Sequence, residues 1–240
     1  MGKKSNSFNL GAKGYVIVIL AFVSCYVYSA LTSDSLNVTI GVFGKMGLNT
    51  NVLYSMSTIA TICGIIGSII LGKIMSLKTA SKTWAVSMIL VAVFSVIWSQ
   101  ATNVTIYAVG YLVCYTLTLA CAMLLSSQVL AYWFPKKRGV AMGICTAGYP
   151  LSAATTTAVC GAFVSKMGIS SFYIFIAIIA LAAGIIIFAF VKDFPEEKHA
   201  YPDNDKDFDF EAAEKEHKAN LEYLKTSKWT VGKCLASGRM

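Results

Sequence analysis

Six long stretches of the chain are predominantly apolar: 15–40, 51–72, 83–100, 104–132, 139–164 and 170–191. The connections between them are short and carry most of the nearby charge. A helix needs about 20 mainly apolar residues to cross ~30 Å of hydrocarbon, so the pattern predicts six membrane-spanning helices. The polar minority inside these stretches recurs at helical spacing, not at the alternation of a strand. Ser24, Tyr28, Thr32, Ser35 and Thr39 follow one another at steps of four and three in the first stretch. Tyr107, Tyr111 and Tyr115 do so in the fourth, and Tyr149, Ser152 and Thr156 in the fifth. Each set marks one polar stripe on an apolar helix.

The order of helix types suggests an internal repeat. The first and fourth stretches are polar-striped, and the third and sixth are plainly apolar. The second and fifth are rich in glycine, with Gly64, Gly67 and Gly72 in one and Gly139, Gly143 and Gly148 in the other. Three is an odd number, so two such sets run through the membrane in opposite senses and form inverted repeats. The expected fold is all-α, six transmembrane helices arranged as two inverted three-helix repeats.

Composition agrees with a membrane assignment. The 240 residues are 56% hydrophobic, with a mean hydropathy of +0.65, above the range of soluble domains. Net charge is +8, yet the cations come in short groups between apolar runs and form no continuous basic face, which argues against nucleic acid as a partner. They also alternate. Lys3, Lys4, Lys13, Lys73, Lys78, Lys82, Lys136, Lys137 and Arg138 fall on one side of the predicted bundle, and only Lys45 and Lys166 on the other. Loops rich in Lys and Arg stay in the cytoplasm. The chain is therefore expected in the cell membrane as a multi-pass protein with both termini cytoplasmic. Lys136, Lys137 and Arg138 act there as a topology anchor. Trp84, Trp98 and Trp133 stand at segment ends, where interfacial aromatics collect.

Catalytic and metal-binding chemistry find little support. Six of the seven cysteines fall within the apolar stretches and none forms a CxxC pair. Both histidines, His199 and His217, lie outside those stretches, so no base accompanies a membrane serine or cysteine. No enzyme activity, metal or other cofactor is expected. Asp34 is the one carboxylate before Asp193. An intramembrane carboxylate is a candidate for gating or coupling. Counted at ~1.5 Å and ~100° per residue, however, it falls near the outer end of its helix and off the Tyr28 face. A solvated outer-end residue is the competing reading.

The stretch "YWFPKKRGVAMGICTAGYPLSAA" resembles the junction between helices 4 and 5 of the major facilitator superfamily. It is most similar to the oxalate/formate antiporter and monocarboxylate transporter branches. "DFPEEKHAYPDNDKD" and "TSKWTVGKCL" resemble the central loop of that branch and its approach to a seventh helix. The loop "GKIMSLKTASK" departs from the family signature. It keeps Gly72 but has Ser76 and Leu77 where an acidic–basic pair is usual, and Thr79 where a second glycine is usual. The resemblance covers the family's first half. It implies residues 1–192 as a six-helix bundle and 193–240 as a cytoplasmic central-loop segment ending before an expected seventh helix.

The implied function is secondary active transport of a small organic anion, a carboxylate, by alternating access. The alternative is a non-transporting structural half that requires a partner chain, either a C-terminal half or a second copy. Tyr28, Thr32, Tyr111, Tyr115, Tyr149 and Ser152 are the candidate substrate-binding residues, because hydroxyls near the bilayer midplane can donate to a carboxylate. Hydrogen bonding between helices is the other use of the same side chains. Gly139, Gly143, Gly148 and Pro150 are expected to let the fifth helix pack closely and bend. Beyond 192, an acidic extended linker is expected to about 210, followed by a solvated helix over 211–225. Trp229, Val231 and Leu235 are expected to rest on the membrane interface.

Overall fold

A computed structural model describes residues 9–77 and 79–205. Among these residues all regular structure is helical. The first path runs through α1 (Gly11–Ser29), a π-helical turn (Ala30–Asp34) and α2 (Leu36–Lys45). Then come α3 (Thr50–Leu77) and α4 (Ala80–Ser99). The fourth path joins α5 (Val104–Ala120), a second π-helical turn (Cys121–Leu125) and α6 (Ser126–Trp133). The fifth is split into α7 (Arg138–Thr146) and α8 (Gly148–Met167), and α9 (Ile169–Phe190) closes the bundle.

Among the described residues, five segments are long and apolar enough to cross a membrane: Gly11–Asp34, Thr50–Met75, Ala80–Ser99, Val104–Trp133 and Ile169–Phe190. The stretch expected at 139–164 differs. It is helical but interrupted at Ala147, and Tyr149, Ser152 and Thr155–Thr157 make α8 the most polar of the long helices. The interruption has a local cause. Pro150 lacks an amide hydrogen and its ring crowds the carbonyl four residues earlier, which is Thr146, the last residue of α7.

The other boundaries also follow from local chemistry. Asn103 caps α5 by accepting from the amide of Ile106 at 2.9 Å, the usual role of Asn at an N-cap. Gly168 takes φ +85° between α8 and α9, a backbone region that side chains with a Cβ avoid. Packing depends on small residues, as in other membrane bundles. A Cβ at Gly184 of α9 would lie 3.1 Å from the Ala85 carbonyl and the Ile89 amide of α4. One at Gly148 would lie 2.5 Å from the Phe22 carbonyl of α1. Gly139 and Gly143 have open space where a Cβ would go, so they are not packing glycines.

Trp84 and Trp98 are fully buried and Trp133 nearly so, which corrects their expected place at the lipid interface. Their partners explain it. Trp84 Nε1 donates to Ser24 Oγ at 3.0 Å, and Trp133 Nε1 to the Lys192 carbonyl at 2.9 Å. Trp98 packs among Tyr107, Tyr111 and Tyr173, with ring centroids 4.5 Å from Tyr173. These indoles tie helices together inside the bundle.

The acidic segment after α9 is also more ordered than an extended linker. It makes short 3-10 turns at Pro195–Lys198 and Pro202–Asn204, and the compact unit reaches Asn204. Two buried carboxylates hold it. Asp193 accepts from the amides of Ala80 and Ser81 at 2.9 and 2.7 Å, capping α4. Asp203 accepts from the amides of Lys136 and Lys137 at 2.9 and 2.8 Å. Lys137 Nζ then bonds the carbonyls of Asn9 and Asp203, both at 2.8 Å. The basic tripeptide is thus a folded turn gripped from both sides. The expected helix at 211–225 and the residues Trp229, Val231 and Leu235 lie outside the described residues.

Candidate functional site

Three of the predicted tyrosines meet. The Tyr28 ring of α1 stands edge-on to Tyr115 of α5 and to Tyr149 of α8, with centroids 5.9 and 6.0 Å apart. All three are half-buried. The Tyr115 hydroxyl lies 3.3 Å from Thr61 Oγ1 of α3, and the Tyr149 hydroxyl donates to Met123 Sδ at 3.5 Å. Four helical paths therefore supply groups to one aromatic, hydroxyl-bearing patch. Rings meeting edge to face are the favourable arrangement for aromatic pairs.

The other candidates sit behind this patch. Tyr111 is buried and its hydroxyl donates to the Thr32 carbonyl at 3.4 Å. Thr32 is buried as well, and its own hydroxyl is spent on the Tyr28 carbonyl at 2.7 Å. Ser152 is fully buried and turns toward Asp34. These three support the patch and present little surface of their own.

Asp34 lies elsewhere than helical counting predicts. It is half-buried, and it accepts from Ser152 Oγ at 2.5 Å and from Ser29 Oγ at 2.9 Å. Two observations account for this. The first path continues through the ten residues of α2 beyond it, so Asp34 is not at the outer end. It also closes a π-helical turn, in which residues five apart share a face, and Ser29 and Asp34 are five apart. A straight α-helix would have turned the carboxylate away. The Thr157 hydroxyl further donates to the Asp34 carbonyl at 2.9 Å. No Lys or Arg among the described residues bonds this carboxylate.

Around Asp34 lies a network that the stripe reading missed. Tyr26 Oη is 3.0 Å from Thr155 Oγ1 and accepts from Thr156 Oγ1 at 3.3 Å, and Thr156 lies 3.0 Å from Ser152 Oγ. Tyr26 and Ser29 form a second polar line on α1, spaced by three. That spacing was present in the sequence, opposite a fifth stretch dense in Ser and Thr. The stripe of Ser24, Tyr28, Thr32, Ser35 and Thr39 is itself divided. Ser24 faces Trp84, while Ser35 donates to the Ala30 carbonyl at 2.7 Å and Thr39 to the Leu36 carbonyl at 3.3 Å. Of the residues expected to shape the fifth helix, Gly148 and Pro150 do so. Gly148 brings α8 against α1, and the close approach also sets Cys25 Sγ 3.4 Å from Cys145 Sγ.

A bundle of long apolar helices with a carboxylate and a hydroxyl network inside it is a multi-pass membrane protein with an interior polar site. A profile of the Major Facilitator Superfamily matches residues 10–238. The chain belongs to that superfamily, whose members carry out membrane transport. No curated protein matches it.

Proposed function

We propose that the chain forms the first six-helix unit of a secondary transporter for a small organic anion, with Arg138–Met167 as the fifth of six spans in two inverted repeats. The half-buried triangle of Tyr28, Tyr115 and Tyr149 carries this reading. Its rings exclude water and its hydroxyls can donate to a carboxylate at the midplane. Asp34, held by Ser29 and Ser152 against the same helices, is the coupling or gating group, since an ionisable side chain at that depth is costly without a function. The resemblance of "YWFPKKRGVAMGICTAGYPLSAA" to the oxalate/formate antiporter and monocarboxylate branches favours a carboxylate substrate.

Uptake measured with each Tyr→Phe variant tests the site. Each should weaken apparent affinity by about 1 kcal/mol, the scale of one lost hydrogen bond. Wild-type affinity in all three, at equal expression, would refute the assignment. Both termini face the cytoplasm in this reading. Cysteines placed at Lys45, Asn103 and Lys166 should then label only from outside.

One observation favours a second reading, in which this unit works only beside a partner. No Lys or Arg of the described residues lines the tyrosine patch, so an anion bound there lacks a counter-charge. Saturable oxalate, formate or lactate exchange by the purified chain in liposomes would overturn the partner requirement.

A further inference from the structure

A cavity of about 140 Å³ opens at the bundle edge between the start of α1 and the end of α9. Its lining is Lys13, Val16, Ile17, Trp133, Phe190 and Lys198. Ile17 and Trp133 are buried and form the floor, while Val16 and Phe190 are 41% and 65% exposed and face outward from the bundle. Two lysines flank this apolar hollow. Lys13 Nζ donates to the Lys198 carbonyl at 2.5 Å, which folds the Pro195–Lys198 turn across the first turns of α1. Among the described residues neither ammonium pairs with a carboxylate, although Glu196 and Glu197 stand exposed on the same turn. The indole nitrogen of Trp133 already bonds the Lys192 carbonyl, so the ring offers an apolar wall and no free donor.

Two like charges gathered at the membrane boundary without an acidic partner attract an anion. The apolar lining sets a further condition, because a small hydrated anion would gain nothing from Val16, Ile17 and Phe190. We infer that this groove binds the headgroup of an acidic phospholipid, the phosphate between Lys13 and Lys198 and an acyl chain along Val16 and Phe190. The long lysine stems can lie on the apolar wall with their ammonium groups at headgroup level. Basic pockets beside membrane helices recognise acidic headgroups in this way, and each Lys or Arg near the surface adds about 1 kcal/mol. A zwitterionic lipid carries its own cation beside the phosphate and gains less. The inference is independent of the proposed substrate and of the tyrosine site.

Native mass spectrometry of the full chain, purified in detergent with added dioleoyl phosphatidylglycerol or dioleoyl phosphatidylcholine, tests it. Phosphatidylglycerol should be retained in preference. Lys13→Gln and Lys198→Gln should each reduce retention about fivefold, Lys13→Arg and Lys198→Arg should preserve it, and Lys45→Gln should leave it unchanged. A second measurement leaves both lysines in place and changes only the lipid. Phosphatidylglycerol brominated on its acyl chains should quench the wild-type fluorescence that Trp133→Phe removes, and brominated phosphatidylcholine should quench it less. Equal retention of the two lipids, wild-type retention by the double Gln variant, or displacement of phosphatidylglycerol by equimolar inorganic phosphate would overturn the proposal. The last outcome would mark a free-anion site.

Discussion

α4 and α9 pack as two unbroken helices, whereas the three paths that carry Asp34 and the tyrosines Tyr28, Tyr115 and Tyr149 are all interrupted. The first is interrupted by the π turn at Ala30–Asp34, the fourth by the π turn at Cys121–Leu125 and the fifth at Ala147. The difference has a physical basis. Lipid supplies no hydrogen-bond partners, so irregular backbone at membrane depth survives only where protein covers it. Both π turns are largely buried, with Ala30, Leu31, Thr32, Cys121, Ala122 and Leu125 inside. The regular pair comes into close contact at Gly184. The interrupted paths use their irregularity to re-aim side chains, and π turns inside α-helices are common at functional sites.

Six variants test this division, from the largest expected effect downward. Gly184→Val on the regular pair and Gly148→Val on the interrupted one both drive a side chain into a neighbouring backbone. Overpacking of that kind costs up to about 3 kcal/mol, so melting temperature in detergent should fall clearly for both. A large fall for Gly184→Val beside tolerance of Gly148→Val would mean that the interrupted paths are loosely packed.

Next comes Asp34→Leu, which leaves the Ser29 and Ser152 hydroxyls without their acceptor. Burying an unpaired polar group costs about 1–3 kcal/mol. Asp34→Asn keeps an acceptor oxygen and should lose markedly less stability while abolishing coupled transport. Equal melting of the Leu and Asn variants would mean that the hydroxyls do not depend on Asp34.

Tyr26→Phe removes the contacts with Thr155 and Thr156, and thermal denaturation should report a loss of about 1 kcal/mol. The smallest effect belongs to Gly143→Ala. Nothing lies within 4 Å of the added methyl, and Ala is better than Gly inside a helix by roughly 0.5–1 kcal/mol. A slight gain in stability is expected there, and a loss would show that α7 needs its glycine.

Much of this molecule is legible in its sequence. The stretch expected at 104–132 is observed at Val104–Trp133, and that at 170–191 at Ile169–Phe190. Such agreement follows from the solvent, since hydrocarbon imposes length and composition on each span without reference to its neighbours. Tyr28, Tyr115 and Tyr149 could likewise be picked out as members of polar stripes. Their meeting could not be, because a helix that is apolar nearly all round offers weak evidence of which side faces which partner.

The glycines show the same limit from another direction. Gly139, Gly143 and Gly148 look alike along the chain, yet only Gly148 has the α1 backbone against it. Residue type set what was possible, and the neighbour decided what was used.

The sequence by itself determined an all-helical membrane chain, the approximate ends of its long apolar helices and the break imposed by Pro150. Each rests on local chemistry, on hydrocarbon thickness or on a missing amide hydrogen. Tertiary structure decided the rest. A π turn places Asp34 beside Ser29 and brings it to Ser152, 118 positions away in the chain. Asp193 and Asp203 reach back 113 and 67 positions to cap backbone amides. A one-residue change of helical phase leaves no mark on the hydrophobic pattern, and a carboxylate acting as a cap looks, in sequence, like any acidic residue in a polar linker.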